Sequence, residues 1–166
     1  MRYALIINPA AKSGKSKRAL PRIKAYFKRR KLELDVLTTK GPKDAIRLAK
    51  QASDHDVVIA GGGDGTINEV VNGIAGTKAA LGIIPLGTAN VLALELNIPE
   101  DSLEACKYIL KHDPIKLDIG KINDRHFLSW AGIGLHSHMI KETENMPILK
   151  QLFGKIAYPL SGSSSP

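Results

Sequence analysis

Cysteine is nearly absent from this 166-residue sequence: Cys106 stands alone, which rules out a disulfide framework and any cysteine-based zinc site and suits a reducing compartment such as the cytoplasm. Long apolar runs are absent too. The N-terminal stretch MRYALIINP offers only Tyr3 to Ile7 before Asn8 and Pro9, too short for a secretion signal, and no later run approaches the ~20 residues of a membrane span. Aromatic residues make up 5% of the chain and do not interleave with its basic segment, so single-strand nucleic-acid binding has little support and no nucleic-acid partner is expected. What the chain does have is 43% hydrophobic residues, enough for the core of one ordinary domain.

Charge is unevenly placed. The net value is +8, yet residues 1–50 hold 15 Lys/Arg against 3 Asp/Glu, while the remainder holds 9 against 13. A solvated helix face between Lys15 and Lys31 accounts for much of this excess; charge alone does not separate nucleic acid, polyphosphate and anionic lipid headgroups as partners, and the aromatic content speaks against the first.

Apolar patterning alternates between strand and helix. Tyr3 to Ile7, Leu32 to Leu37, Asp56 to Ala60 and Ala79 to Ile84 read as strands, and Ser16 to Arg30, Lys43 to Ala52, Thr66 to Ala75 and Ala89 to Leu96 as helices. That order predicts a mostly parallel sheet in a three-layer α/β domain over residues 1–112. Asp101 reads as the N-cap of a further helix from Ser102 to Lys111. Two shorter β-type runs follow, Ile115 to Ile122 and His126 to Trp130, joined by a turn at Asn123-Asp124. They predict a hairpin that packs as a sheet edge or opens a second, β-rich domain over residues 113–160, ahead of the tail 161–166.

Gly61-Gly62-Gly63-Asp64-Gly65-Thr66 lies between a strand and a helix, the setting in which a glycine loop binds phosphate: the backbone approaches the anion unhindered and the helix start presents N–H groups and a positive dipole end. Asp64 is out of place in a pure anion site, because a carboxylate repels phosphate unless it handles a metal ion or a hydroxyl proton. Phosphoryl transfer is the chemistry that wants both. One βα unit later, Pro85-Leu86-Gly87-Thr88-Ala89-Asn90 makes a second loop at a neighbouring strand end, with hydroxyl and amide groups suited to phosphate or ribose; alternatively Thr88 is an N-cap and Asn90 a first-turn residue.

Other patterns are weaker. Pro9 to Ser16 (PAAKSGKS) misses the first glycine of a P-loop, and proline cannot donate the N–H that the nest requires. Gly61-x-Gly63 and Gly132-x-Gly134 both lack the third glycine of a dinucleotide fingerprint. His136 and His138 share a strand face, but two histidines without a third ligand do not make a zinc site, so no metal ligand is assigned.

Together, Val58 to Asn72 (VIAGGGDGTINEVVN), Gly82 to Asn90 (GIIPLGTAN), Asn8-Pro9, and Asp118 to Asn123 with Ala131 to Gly134 resemble the diacylglycerol kinase catalytic-domain family. That family includes bacterial lipid kinases and sphingosine kinases and is more distantly similar to NAD kinases and phosphofructokinases. The resemblance runs from residue 3 to about residue 158. It implies a NAD kinase/diacylglycerol kinase-like N-terminal domain with ATP and Mg²⁺ as cofactors, acting in phospholipid metabolism on a diacylglycerol-like hydroxyl at the membrane surface. It implies catalysis through Asp64 and nucleotide contacts at Asn8, Pro9, Thr39, Gly62, Gly63, Asp64, Gly65, Thr66, Ile67, Asn68 and Thr88. A NAD-kinase-like small-molecule kinase and a non-catalytic nucleotide-binding fragment are the competing readings; the Pro85 to Asn90 loop favours the lipid branch.

The sequence departs from the family pattern in three places. Asn90 is followed by Val91-Leu92 where relatives often carry an acid, and His136 stands where many have an aspartate. Relatives also continue into a second, mainly β domain that supplies acidic metal ligands and a general base; this chain is expected to stop short of it and to be inactive alone. Leu149, Leu152, Phe153, Ile156 and Leu160 are expected to have packed on that domain, making the chain prone to dimerise. The expected location is cytoplasmic, possible contact with anionic lipid making it peripheral to the membrane.

Overall fold

The computed structural model describes residues 1–9 and 11–128. Four strands, β1 (Tyr3–Ile7), β2 (Leu34–Thr38), β3 (Val57–Gly62) and β4 (Ala80–Pro85), pair in parallel in the order β2-β1-β3-β4. Strand β1 is buried along its whole length, as a central parallel strand covered on both faces must be, and its continuous apolar run follows from that.

Side chains of β1 alternate between two cores. Ala4 and Ile6 join Val58, Ala60 and Ile83 under α2 (Asp44–Gln51), α3 (Asp64–Ile74) and α4 (Val91–Glu95). Tyr3, Leu5 and Ile7 join Val57, Ile59 and Ile84 under α1 (Lys15–Arg29) and α5 (Ser102–Lys111). The result is a three-layer α/β arrangement. Phe27 of α1 is almost wholly buried and meets Tyr3 edge-on at 5.4 Å, a geometry that aromatic quadrupoles favour. Helix α5 starts as its cap demands: the Asp101 carboxylate accepts from the N–H groups of Leu103 and Glu104 at 2.9 and 3.1 Å.

The site is placed by a reversal of winding. The helix after β1 covers one face of the sheet and the helix after β3 covers the other, so the neighbouring carboxyl ends of β1 and β3 open into a crevice, the topological switch point at which ligands bind in such sheets.

The hairpin is present but shorter than expected. Strands β5 (Gly120–Ile122) and β6 (Arg125–Phe127) pair antiparallel around Asn123, which takes the left-handed conformation at φ 52°. They form a separate two-stranded sheet on α3, not an edge of the main sheet. The predicted strand from Ile115 shrinks because residues 115–119 have no ladder partner among the described residues, and Ile115, Leu117 and Ile119 are exposed. Among the described residues no helix is long and apolar enough to cross a membrane. Trp130, Gly132, Gly134, His136, His138 and the apolar segment 148–160 lie outside the described residues.

Candidate functional site

The glycine run is half strand. Gly61 and Gly62 belong to the ladder, opposite Ile84 and Pro85 of β4, and the helix begins at Asp64. Space explains the glycines better than backbone freedom does. A Cβ on Gly61 would stand 3.1 Å from Leu5 Cδ1, and one on Gly62 would stand 2.5 Å from the Thr66 side chain. Gly63, extended at φ −93°, lies against Gly87 of the next loop, backbone on backbone. A side chain on either would force the two loops apart.

Main-chain bonds align four strand ends along the crevice. Thr39 N–H donates to Ile7 O, Asn8 N–H to Gly61 O and Leu86 N–H to Gly62 O, at 3.0, 3.0 and 2.9 Å. Asn8, Pro9, Thr39 and the run from Gly62 to Asn68 are thereby brought to one end of the sheet. Thr39 and Thr66 are buried there, Asn8, Pro9 and Thr88 half-buried. Ile67 sends its side chain into the core and its N–H to Gly63 O.

Helix α3 has no side-chain cap, so the N–H groups of its first turn are available to a ligand, at the positive end of the helix dipole. Beside them, Oδ1 of Asp64 and Oδ1 of Asn68 are both buried and without a hydrogen-bond partner among the described residues. These residues sit one turn apart on the same helix face. Two buried acceptors lacking donors are costly in a folded protein, and they describe a place where a hydroxyl, an amide or a hydrated cation completes the bonding. Among the described residues no three His, Cys, Asp or Glu side chains converge.

The second loop is pinned by its own asparagine. Asn90, 3% exposed with φ 50°, accepts from Gly87 N–H at 2.9 Å and donates to Gly87 O at 3.0 Å. Each half of its amide bonds Gly87, so Asn90 holds the loop's shape. Asn90, not Thr88, also occupies the N-cap position of α4, without capping it through its side chain.

One residue at the crevice has no place among the predicted contacts. Lys15 Nζ donates to Pro85 O at 3.3 Å, which carries a cation from the start of α1 to the end of β4. The signal for it is the Gly14-Lys15-Ser16 ending of the incomplete P-loop pattern. Gly14 is left-handed at φ 91° and turns the chain into α1 at that point. Toward the other end of α3, the Asn72 amide bonds the N–H and C=O of His126 at 2.8 Å each and so fixes the hairpin to the helix.

Comparison with known proteins adds the following. The sequence model of a family described as "Diacylglycerol kinase catalytic domain" matches residues 2–122. A protein of Staphylococcus haemolyticus named diacylglycerol kinase is 38% identical over 162 residues, 95% of this chain and 48% of that protein. One from Staphylococcus carnosus with the same name is 36% identical over 165 residues, 97% of this chain and 53% of that protein. The crystal structure of a diacylglycerol kinase from Bacillus anthracis superposes with a TM-score of 0.65 at 36% identity, covering 76% of this chain and 48% of the other. The chain spans about half the length of the curated relatives it matches.

Proposed function

The chain belongs to the diacylglycerol kinase catalytic-domain family, and from that premise we propose that it is the nucleotide-holding part of an ATP-dependent lipid kinase, with a diacylglycerol-like hydroxyl as acceptor. One observation carries the reading: the first turn of α3 opens at the switch point between β1 and β3, with the unpartnered oxygen of Asp64 beside it. Helix N–H groups suit phosphate oxygens, and a carboxylate among them suits a metal-linked or hydroxyl-orienting role, as phosphoryl transfer requires. Asn8, Pro9 and Thr39 border the nucleotide on the β1 and β2 side, and Thr88 closes the other side. In the transfer, the γ-phosphorus bond to ADP breaks, a bond to the acceptor oxygen forms, and the hydroxyl proton passes to a base that no residue of this chain is assigned to supply. Asp64 would hold Mg²⁺ through its carboxylate, and the ion would supply charge neutralisation to the phosphates. The hairpin after α5 begins the β-rich part in which such a base would stand.

The exposed basic residues of α1, among them Lys17, Arg18, Arg22, Lys24 and Lys28, form the surface that would meet an anionic membrane. Calorimetry with Mg-ATP, paired with a radiolabel transfer assay on lipid acceptors, tests the proposal. The 166 residues are expected to bind Mg-ATP weakly, and the transfer assay reads whether a general base, a group worth ~10² to 10⁴ in rate, acts on the lipid hydroxyl. Robust lipid phosphorylation by the chain alone would show that the machinery is complete within it. Absence of binding at millimolar ATP would leave a fragment without nucleotide function.

A further inference from the structure

Helix α2 has no cap of its own. Its N-cap residue Lys43 is left-handed at φ 65° and makes no side-chain bond to the helix start. The cap comes from another helix: Glu69 of α3 accepts from Lys43 N–H through Oε1 at 3.0 Å and from Ala45 N–H through Oε2 at 3.2 Å. A carboxylate is well suited to this, because charge strengthens both bonds and a negative group opposes the positive end of the α2 dipole. One turn further along α3, Gly73 lets the two helices approach, since a Cβ there would stand 2.7 Å from Ile46 O and 3.1 Å from Lys50 N.

The bonds of Glu69 matter because of what they hold. Residues 39–43 join β2 to α2 and carry Thr39 to the crevice. The segment is fixed at its start by Thr39 N–H to Ile7 O and by Lys40 N–H to the Asp44 carboxylate, at 3.0 and 2.9 Å. Its far end is fixed by Glu69, five residues along α3 from Asp64. One helix thus sets both the glycine loop and the wall opposite it.

We propose that Glu69 is a positioning residue for the nucleotide, holding the 39–43 wall at a fixed place against the α3 N-terminus; the inference rests on reading the crevice as a nucleotide site. Glu69 does not touch the ligand, as both its oxygens face backbone N–H groups of α2. Its effect falls on affinity through the arrangement of the wall.

The test is Glu69→Gln, which keeps the side chain's shape and turns one acceptor into an NH₂ facing a backbone N–H. Amide hydrogen exchange reads the wall directly, and calorimetry with Mg-ATP reads the crevice. Val71→Ala, a core change on the same helix, is the control for loss of stability alone. In E69Q the amides of Lys43 and Ala45 should exchange at least about tenfold faster, and Mg-ATP should bind about tenfold more weakly, as expected if the wall is correctly arranged a tenth of the time. V71A should lower the melting temperature with neither effect. If E69Q does not fold cooperatively, Glu69→Asp, with both oxygens on a shorter stem, is read the same way. Unchanged Mg-ATP affinity in the variant, unchanged exchange at residues 43 and 45, or an equal loss of affinity in V71A would overturn the role of Glu69 alone. Failure of the wild-type chain to bind Mg-ATP would remove the nucleotide reading, and this inference with it.

Discussion

Alanine at Gly87 and alanine at Gly65 are the same chemical change with opposite expected consequences for stability. At Gly87 the new methyl would overlap Gly63 Cα and stand 2.7 Å from Asn90 Oδ1 and 3.1 Å from Gly63 N. Two of these neighbours are backbone, and the third is an amide bonded at both ends to Gly87 itself. Relief requires the loops to separate and the Asn90 pairing to break. Overpacking of this kind costs ~1–3 kcal/mol, and the buried hydrogen bonds add about 1 kcal/mol. At ~2–4 °C per kcal/mol, the melting temperature should fall by roughly 4–16 °C. At Gly65, in the exposed first turn of α3, a Cβ meets no atom within 4 Å. Alanine there should stabilise the helix by ~0.5–1 kcal/mol, raising the melting temperature by a few degrees, while the methyl obstructs phosphate approach and weakens Mg-ATP binding. Differential scanning calorimetry and titration with Mg-ATP read both quantities. A Gly87→Ala variant that melts like the wild type would refute the backbone-on-backbone contact. A Gly65→Ala variant that binds Mg-ATP normally would refute phosphate approach to α3.

Asp64→Asn, placed in a full-length family member, should remove phosphoryl transfer without lowering the melting temperature, because the altered oxygen has no partner to lose; retained activity in a lipid-acceptor assay would make Asp64 structural. The basic N-terminal region should draw the chain to phosphatidylserine vesicles at low salt, each nearby Lys or Arg adding ~1 kcal/mol; equal sedimentation with neutral vesicles, or no release at high salt, rejects that. Burial, with a smaller contribution from the Asp101 charge, pushes the Cys106 thiol up to about 12. The folded chain then keeps a proton that the unfolded chain loses above its ordinary thiol range near ~8.5, so this contribution to stability is full below that pH and declines as pH rises toward the folded value. Urea melts from pH 7.5 to 10.5 should show a decline that Cys106→Ala reduces, and a thiol reagent should react only on unfolding. Asp101→Ala should lose ~0.5–2 kcal/mol, measured by the same melts, through the lost α5 cap.

The sheet and its flanking helices were legible because parallel strands write themselves as unbroken apolar runs, and Asp101 because a cap is a local signal. What the sequence hid was set by contacts between distant residues. Gly61 to Thr66 reads as one loop, yet Gly61 and Gly62 continue β3, since their lack of side chains serves Leu5 and Thr66 and not a turn. Asn90 reads as a ligand-facing amide or a first-turn residue, and only the fold reveals that it also bonds the N–H and C=O of Gly87 and so pins the loop. The helix read over Ser16 to Arg30 is continuous through Pro21, because the burial of Ile23, Tyr26 and Phe27 on the sheet outweighs the ~3 kcal/mol that an interior proline costs. Glu69 could not be found from periodicity, because a carboxylate that caps a different helix leaves no local pattern. Thr88 and the other candidate residues gathered at one sheet end because each follows the carboxyl end of a parallel strand.

Where Gly63 meets Gly87, two peptide chains touch with nothing between them. The spacing of the β3 and β4 loops is therefore a gauge built from main chain, beyond the reach of side-chain substitution. A bulkier residue at either position only wedges the joint open, and no smaller residue exists to close it. Widening the gap without breaking the joint would require inserted residues between Leu86 and Asn90.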